Sequence, residues 1–110
     1  MERVTSMRSP TEIKSLIEAR LKTYLSRDTT GIRREMLKLF LKINSLTIAE
    51  IFSILNKHFT ISYHSVAAMV GIIASRIGIL HVNRSKDSTC TVYELKEQYV
   101  DIVRRIVRTC

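Results

Sequence analysis

The residues able to do acid–base, nucleophilic or metal chemistry are few in this chain and lie far apart. His58, His64, His81, Cys90 and Cys110 include no pair at the short spacing of a zinc site. Neither Cys90 nor any serine stands beside a histidine in a recognisable nucleophile–base motif. Two cysteines do not make a disulfide framework, and they read as reduced thiols. Gly31, Gly71 and Gly78 are too scattered for a phosphate-cradling loop. Glu12 and Glu50 fall where carboxylates cap helices rather than where they do proton transfer. The expectation is a non-enzyme with no cofactor and no metal.

What the sequence does concentrate is positive charge. Across 110 residues, 18 Lys and Arg face 10 Asp and Glu, a formal charge of +8. With 45% apolar and 25% charged residues, the chain has the proportions of one globular domain and argues against disorder or a collagen-like repeat. The surplus favours an anionic partner, nucleic acid or a membrane surface. Arg33, Arg34, Arg76, Arg84 and Lys86 are the candidate phosphate contacts, because neutralising phosphates and releasing counterions supplies most sequence-independent affinity. Arg104, Arg105 and Arg108 suit the negative end of a C-terminal helix instead. The longest uncharged run, 58–75, is continuously apolar only from Val66 to Ala74, too short to cross a bilayer. Residues 1–10 lack the apolar centre of a signal peptide. A soluble, cytoplasmic protein is expected.

The elements that must position these cations can be read from caps and periodicity. Ser9-Pro10-Thr11-Glu12 is a capping box with Pro at the first helical position, and Ile13, Leu16, Ile17, Leu21, Tyr24 and Leu25 repeat at helical spacing, predicting a helix over 10–26. A polar break at 27–31 precedes a second helix at about 32–43. Thr47-Ile48-Ala49-Glu50 is another capping box, stapled by Leu46 and Ile51, for a third helix that reaches Phe59. Ser62 caps a fourth that ends at Gly78. Ile79–Asn83 and Thr89–Tyr93, rich in β-branched residues, flank the polar turn 84–88 as a β-hairpin. A last helix is expected over about 95–108. The fold class is mainly α with a small β-hairpin, as a single domain over 1–110.

A capped helix, a three- or four-residue turn, a second helix, a Gly stop and a two-stranded hairpin over 47–95 resemble the winged helix-turn-helix DNA-binding superfamily. Ile61-Ser62-Tyr63-His64-Ser65-Val66, with Val70, Ile73 and Gly78-Ile79-Leu80, resembles the recognition segment of its repressors, and Tyr93-Glu94-Leu95 their second wing strand. The resemblance covers about 31–95, with flanking helices added, and a small archaeal family of that fold is the expected relative. It implies a transcriptional regulator binding double-stranded DNA, with Ser62, Tyr63, His64, Ser65 and Ala68 on the contacting helix and Arg84 and Lys86 on the wing. At about 100° per residue, Val66, Val70, Ile73 and Ile77 share the inner side of that helix and His64, Ala68, Gly71 and Ser75 the outer. Ala67, Ala68 and Gly71 stand where many such repressors carry Arg, Tyr or Asn, so bidentate donors to bases are missing and sequence reading should be weak. The alternative for the small outer face is a protein–protein interaction module without DNA binding. The flanking helices either complete the monomer's core or form a homodimer through Leu95, Tyr99, Ile102 and Ile106.

Overall fold

The computed structural model describes residues 9–84 and 90–109. Their order is α1 (Pro10–Ser26), α2 (Ile32–Lys42), β1 (Ser45–Thr47), α3 (Ile48–Leu55), α4 (Tyr63–Ile72), β2 (Leu80–Arg84), β3 (Thr91–Leu95) and α5 (Val100–Thr109). A π-helical turn, Ile73–Ile77, extends α4, and a 3-10 turn, Glu97–Tyr99, leads into α5.

Local chemistry sets the helix starts. The Ser9 hydroxyl accepts the Glu12 N–H at 3.2 Å while the Glu12 carboxylate accepts the Ser9 N–H at 2.8 Å. Thr47 and Glu50 repeat the reciprocal pair at 3.1 and 2.8 Å. The Ser62 hydroxyl accepts the Ser65 N–H at 3.0 Å to open α4. Each cap stabilises its helix by about 1 kcal/mol.

Three boundaries differ from the sequence reading, each for a tertiary reason. The first is an unexpected strand: β1 pairs antiparallel with β3, Leu46 opposite Tyr93, making the hairpin a three-stranded sheet of order β1-β3-β2. Three residues carry no readable alternation. The capping residue Thr47 is itself extended (φ −92°, ψ 164°), so the chain entering α3 is already shaped for pairing. Secondly, α3 stops at Leu55, so the connection to α4 runs over 56–62 rather than three or four residues. Within it the His58 and Phe59 N–H groups both donate to the Leu55 carbonyl, and Phe59 packs against the core. Thirdly, α5 begins at Val100 rather than 95. Leu95 closes β3 opposite Leu80, and the Lys96 N–H still donates to the Ile79 carbonyl at 2.9 Å, prolonging the ladder past the point where a helix was expected.

One hydrophobic core joins all five helices to the sheet. Leu21, Met36, Leu37, Phe40, Ile51, Val66, Val70, Ile73 and Val103 are fully enclosed. Leu95, Tyr99, Ile102 and Ile106 belong to it as well, between 1% and 8% exposed. The homodimer seam expected from these four residues is therefore corrected: their stripe is spent inside the monomer, where α5 packs on α1 and α2. Among the described residues no helix is long and apolar enough to cross a membrane.

The end of the long helical segment is fixed by its backbone. The Gly78 N–H donates to the Ile73 carbonyl, five residues back, at 2.9 Å, and Gly78 turns left-handed at φ 84°. Gly71 is an ordinary exposed helical residue, and neither glycine has an atom within 4 Å of where a Cβ would stand. Sterics therefore drop out and backbone preference alone decides. Gly78→Ala should lower the unfolding free energy in urea by about 1–2 kcal/mol through left-handed strain. Gly71→Ala should raise it by roughly 0.5–1 kcal/mol.

Candidate nucleic-acid interface and arginine cleft

The α4 segment presents the two sides the periodicity requires. Val66, Val70, Ile73 and Ile77 are buried, and His64, Ala68, Gly71 and Ser75 are exposed. At its amino end Tyr63 is 51% exposed and meets the Phe52 ring edge-on, centroids 5.8 Å apart. Ser62 and Ser65 are partly occupied by each other, since the Ser62 hydroxyl donates to Ser65 Oγ at 2.9 Å while capping the helix. Beyond α4, the edge strand β2 leaves the body of the protein. Only Leu80 is buried, and His81, Val82, Asn83 and Arg84 are exposed although they alternate between the two faces of the sheet. Arg84 thus stands on a projecting hairpin. Lys86 lies outside the described residues.

Arg33 and Arg34 are placed differently from a solvated phosphate-binding pair. Asp28 bridges the loop: one carboxylate oxygen accepts the Gly31 and Arg33 N–H groups at 3.1 and 3.3 Å, the other the Arg34 N–H at 3.1 Å. From this start the two side chains part. Arg33 Nη1 donates to the Tyr24 carbonyl at 2.8 Å, and its guanidinium lies 4.4 Å above the Tyr24 ring. Arg34 Nη1 donates to the Val107 carbonyl near the end of α5. Both are half-buried links between helices. Near the C-terminus, Arg105 pairs with Glu18 at 2.6 Å and Arg104 with Asp101 at 3.2 Å.

Arg76 is exposed and joins a grouping the sequence reading missed. Between α1 and the end of the α4 segment lies a cleft of about 470 Å³ lined by Arg20, Arg27, Arg33 and Arg76, with Tyr24 between them. Its remaining wall is Ala19, Thr23, Ile72 and Ile77, and among the described residues no carboxylate lines it. Arg20, Tyr24 and Arg27 fall at i, i+4 and i+7, one face of a helix, which is the signal that could have been read. Their meeting with Arg76 needed the packing of α1 on the π-turn. Tyr24 is 8% exposed, and its hydroxyl is sealed from solvent without a hydrogen-bond partner among the described residues. Burial pushes that phenol up to about 12, opposed by Arg33 and reinforced by Asp28. It stays protonated, a donor, at any physiological pH.

Fold and site together define a small, mainly helical protein with a three-stranded antiparallel sheet and an uncompensated cationic surface. The family described as "Protein of unknown function (DUF2551)" matches residues 21–103, and the chain belongs to that family. It is similar to an uncharacterized protein of Archaeoglobus fulgidus, 42% identical over 92 residues that cover 83% of this chain and 92% of the relative. No solved structure matches.

The Tyr24 phenol gives a pH test. Its folded pKa lies above the ordinary 10.0 of a tyrosine, so the neutral form is what the fold favours. That contribution is complete below pH 10 and is lost as pH rises from about 10 to about 12, roughly 2–3 kcal/mol in all. Tyr24→Phe should be at least as stable as the parent at pH 7, since it removes an unsatisfied hydroxyl. The difference between the two unfolding free energies should widen in favour of Phe across that window; a constant difference would place the hydroxyl in solvent.

Proposed function

We propose that this chain is a winged helix-turn-helix protein that binds double-stranded DNA, gripping the phosphate backbone and reading sequence weakly, as a transcriptional regulator. The order α2, β1, α3, α4, β2, β3, with β1 returning to pair beside β3, supports the winged-helix reading. The observation that carries the function is the hairpin. Four successive β2 residues are exposed beyond Leu80, and a strand that leaves the core in this way, ending in Arg84, has the reach of a wing.

The outer face of α4 is compatible with the same role. From Ser62 to Arg76 the sequence has no Asp or Glu to repel phosphates. Tyr63, His64 and Ser65 stand exposed at its amino end, where backbone N–H groups and the helix dipole also favour an anion. Ala68, Gly71 and Ser75 let the helix backbone approach a groove wall but offer no bidentate contact to a base, hence the weak reading. Arg33 and Arg34, committed to Tyr24 and Val107, contribute field more than contact. The second reading, a protein-interaction module, is favoured by the same small face, on which another helix could lie closely.

Duplex binding followed across a salt series tests the first reading. The parent should bind with a negative slope of log affinity on log salt. Replacing Arg84 and Lys86 together by Ala should weaken binding and reduce the magnitude of that slope by about 2, one for each lost phosphate contact. An unchanged affinity and slope would remove the hairpin from the interface. Ala68→Glu abolishing self- or partner association, in a protein that never bound DNA, would favour the second reading.

A further inference from the structure

We propose that the cleft between α1 and the end of the α4 segment is a binding site for a small phosphorylated molecule of nucleotide size. The proposal does not rest on DNA binding. Arg20, Arg27, Arg33 and Arg76 converge on one concavity without a carboxylate among its lining residues. Among the described residues Arg20, Arg27 and Arg76 make no ion pair, whereas Arg104 and Arg105, equally exposed, each have one. Four like charges gathered in one place repel each other, and a polyanion relieves that repulsion while accepting their N–H groups in pairs.

Two features separate this cleft from a merely basic surface. Arg33 is already fixed, held by the Tyr24 carbonyl and stacked on the Tyr24 ring, so little side-chain freedom is lost when its remaining N–H groups meet an anion. Tyr24 belongs to the same lining, and its hydroxyl is a buried donor, closed to solvent, with no acceptor among the described residues. Buried hydroxyls are almost always paired, and a phosphate oxygen drawn in between the arginines, once the side chains covering this hydroxyl part, supplies the acceptor it lacks. The phenol's raised pKa keeps that proton in place.

Shape and lining narrow the ligand. At about 470 Å³ the cleft falls within the roughly 300–1,000 Å³ of small-molecule sites. Ala19, Ile72 and Ile77 give it an apolar wall beside the arginines, which suits a molecule with a flat apolar part joined to its phosphates rather than phosphate alone. A duplex presents its phosphates along a convex ridge and reaches a recessed hydroxyl poorly. The cleft is also built partly on the helix whose outer face the DNA reading uses, so an occupant would bear on that helix.

Isothermal titration of the full chain with ADP, pyrophosphate, adenosine and a short DNA duplex decides the matter. ADP should bind saturably and more tightly than pyrophosphate, and adenosine should not bind. Arg20→Ala and Arg76→Ala, both at exposed positions, should each weaken ADP at least about tenfold. Tyr24→Phe should weaken it several-fold without lowering the melting temperature. Arg84→Ala with Lys86→Ala should leave ADP binding unchanged whatever it does to DNA, so the two proposals fail separately. Absence of saturable ADP and pyrophosphate binding at millimolar concentration overturns the proposal, as does ADP binding that survives both arginine substitutions. Loss of duplex affinity on removing Arg20 and Arg76, with no small anion bound, assigns the cleft to the DNA surface and also overturns it.

Discussion

A single carboxylate at the junction of α1 and α2 determines much of what surrounds it. Gly31 at φ 88° brings the chain out of the loop and provides no side chain to cap α2. Asp28 supplies the cap from three residues earlier, taking three backbone N–H groups on its two oxygens at the positive end of the helix. Because those N–H groups belong to Gly31, Arg33 and Arg34, the same contact sets where two consecutive arginines start. One guanidinium goes to Tyr24 on α1, the other to Val107 on α5. Three helices are thereby held at fixed angles by groups that a helical-wheel reading assigns to solvent.

That arrangement explains how a chain with so much positive charge keeps a dry core. Among the described residues no buried side chain is charged. Arginine serves as a tie between helices by donating to main-chain carbonyls, which keep their full acceptor strength at a helix end and need no counter-charge. The cations left over have to be held at the surface, and although Lys14 and Lys22 lie elsewhere on α1, Arg20 and Arg27 fall along one face. Packing α1 against the π-turn brings that face opposite Arg76. Concentrating like charge costs stability.

The α4 segment divides its surface three ways: valine and isoleucine toward the core, small and polar residues outward, and a flank toward α1. The π-turn suits this division, since widening the helix at Ile73–Ile77 keeps both isoleucines against the core while the chain reaches Gly78 and reverses into β2. The strand then leaves the body almost at once. A rigid helix and a projecting hairpin are in this way joined by one glycine.

The sequence by itself determined the starts of α1, α3 and α4, the glycine stop, the inward face of α4 and the existence of the hairpin. Each rests on interactions between residues within a few positions of one another: a serine and the N–H three residues on, a glycine free to turn left-handed, apolar residues one helical turn apart. Beyond that range the sequence is silent. β1 exists because β3 is there to pair with it; α5 starts late because Leu95 is held by Leu80; the apolar stripe of α5 turns inward because α1 and α2 cover it. The partners of Arg33 and Arg34, nine and seventy-three residues away, could not be read for the same reason. Local spacing placed Arg20, Tyr24 and Arg27 on one side of α1, but only tertiary packing put Arg76 across from them and closed water away from a hydroxyl, because a cleft is a relation between elements and not a property of either.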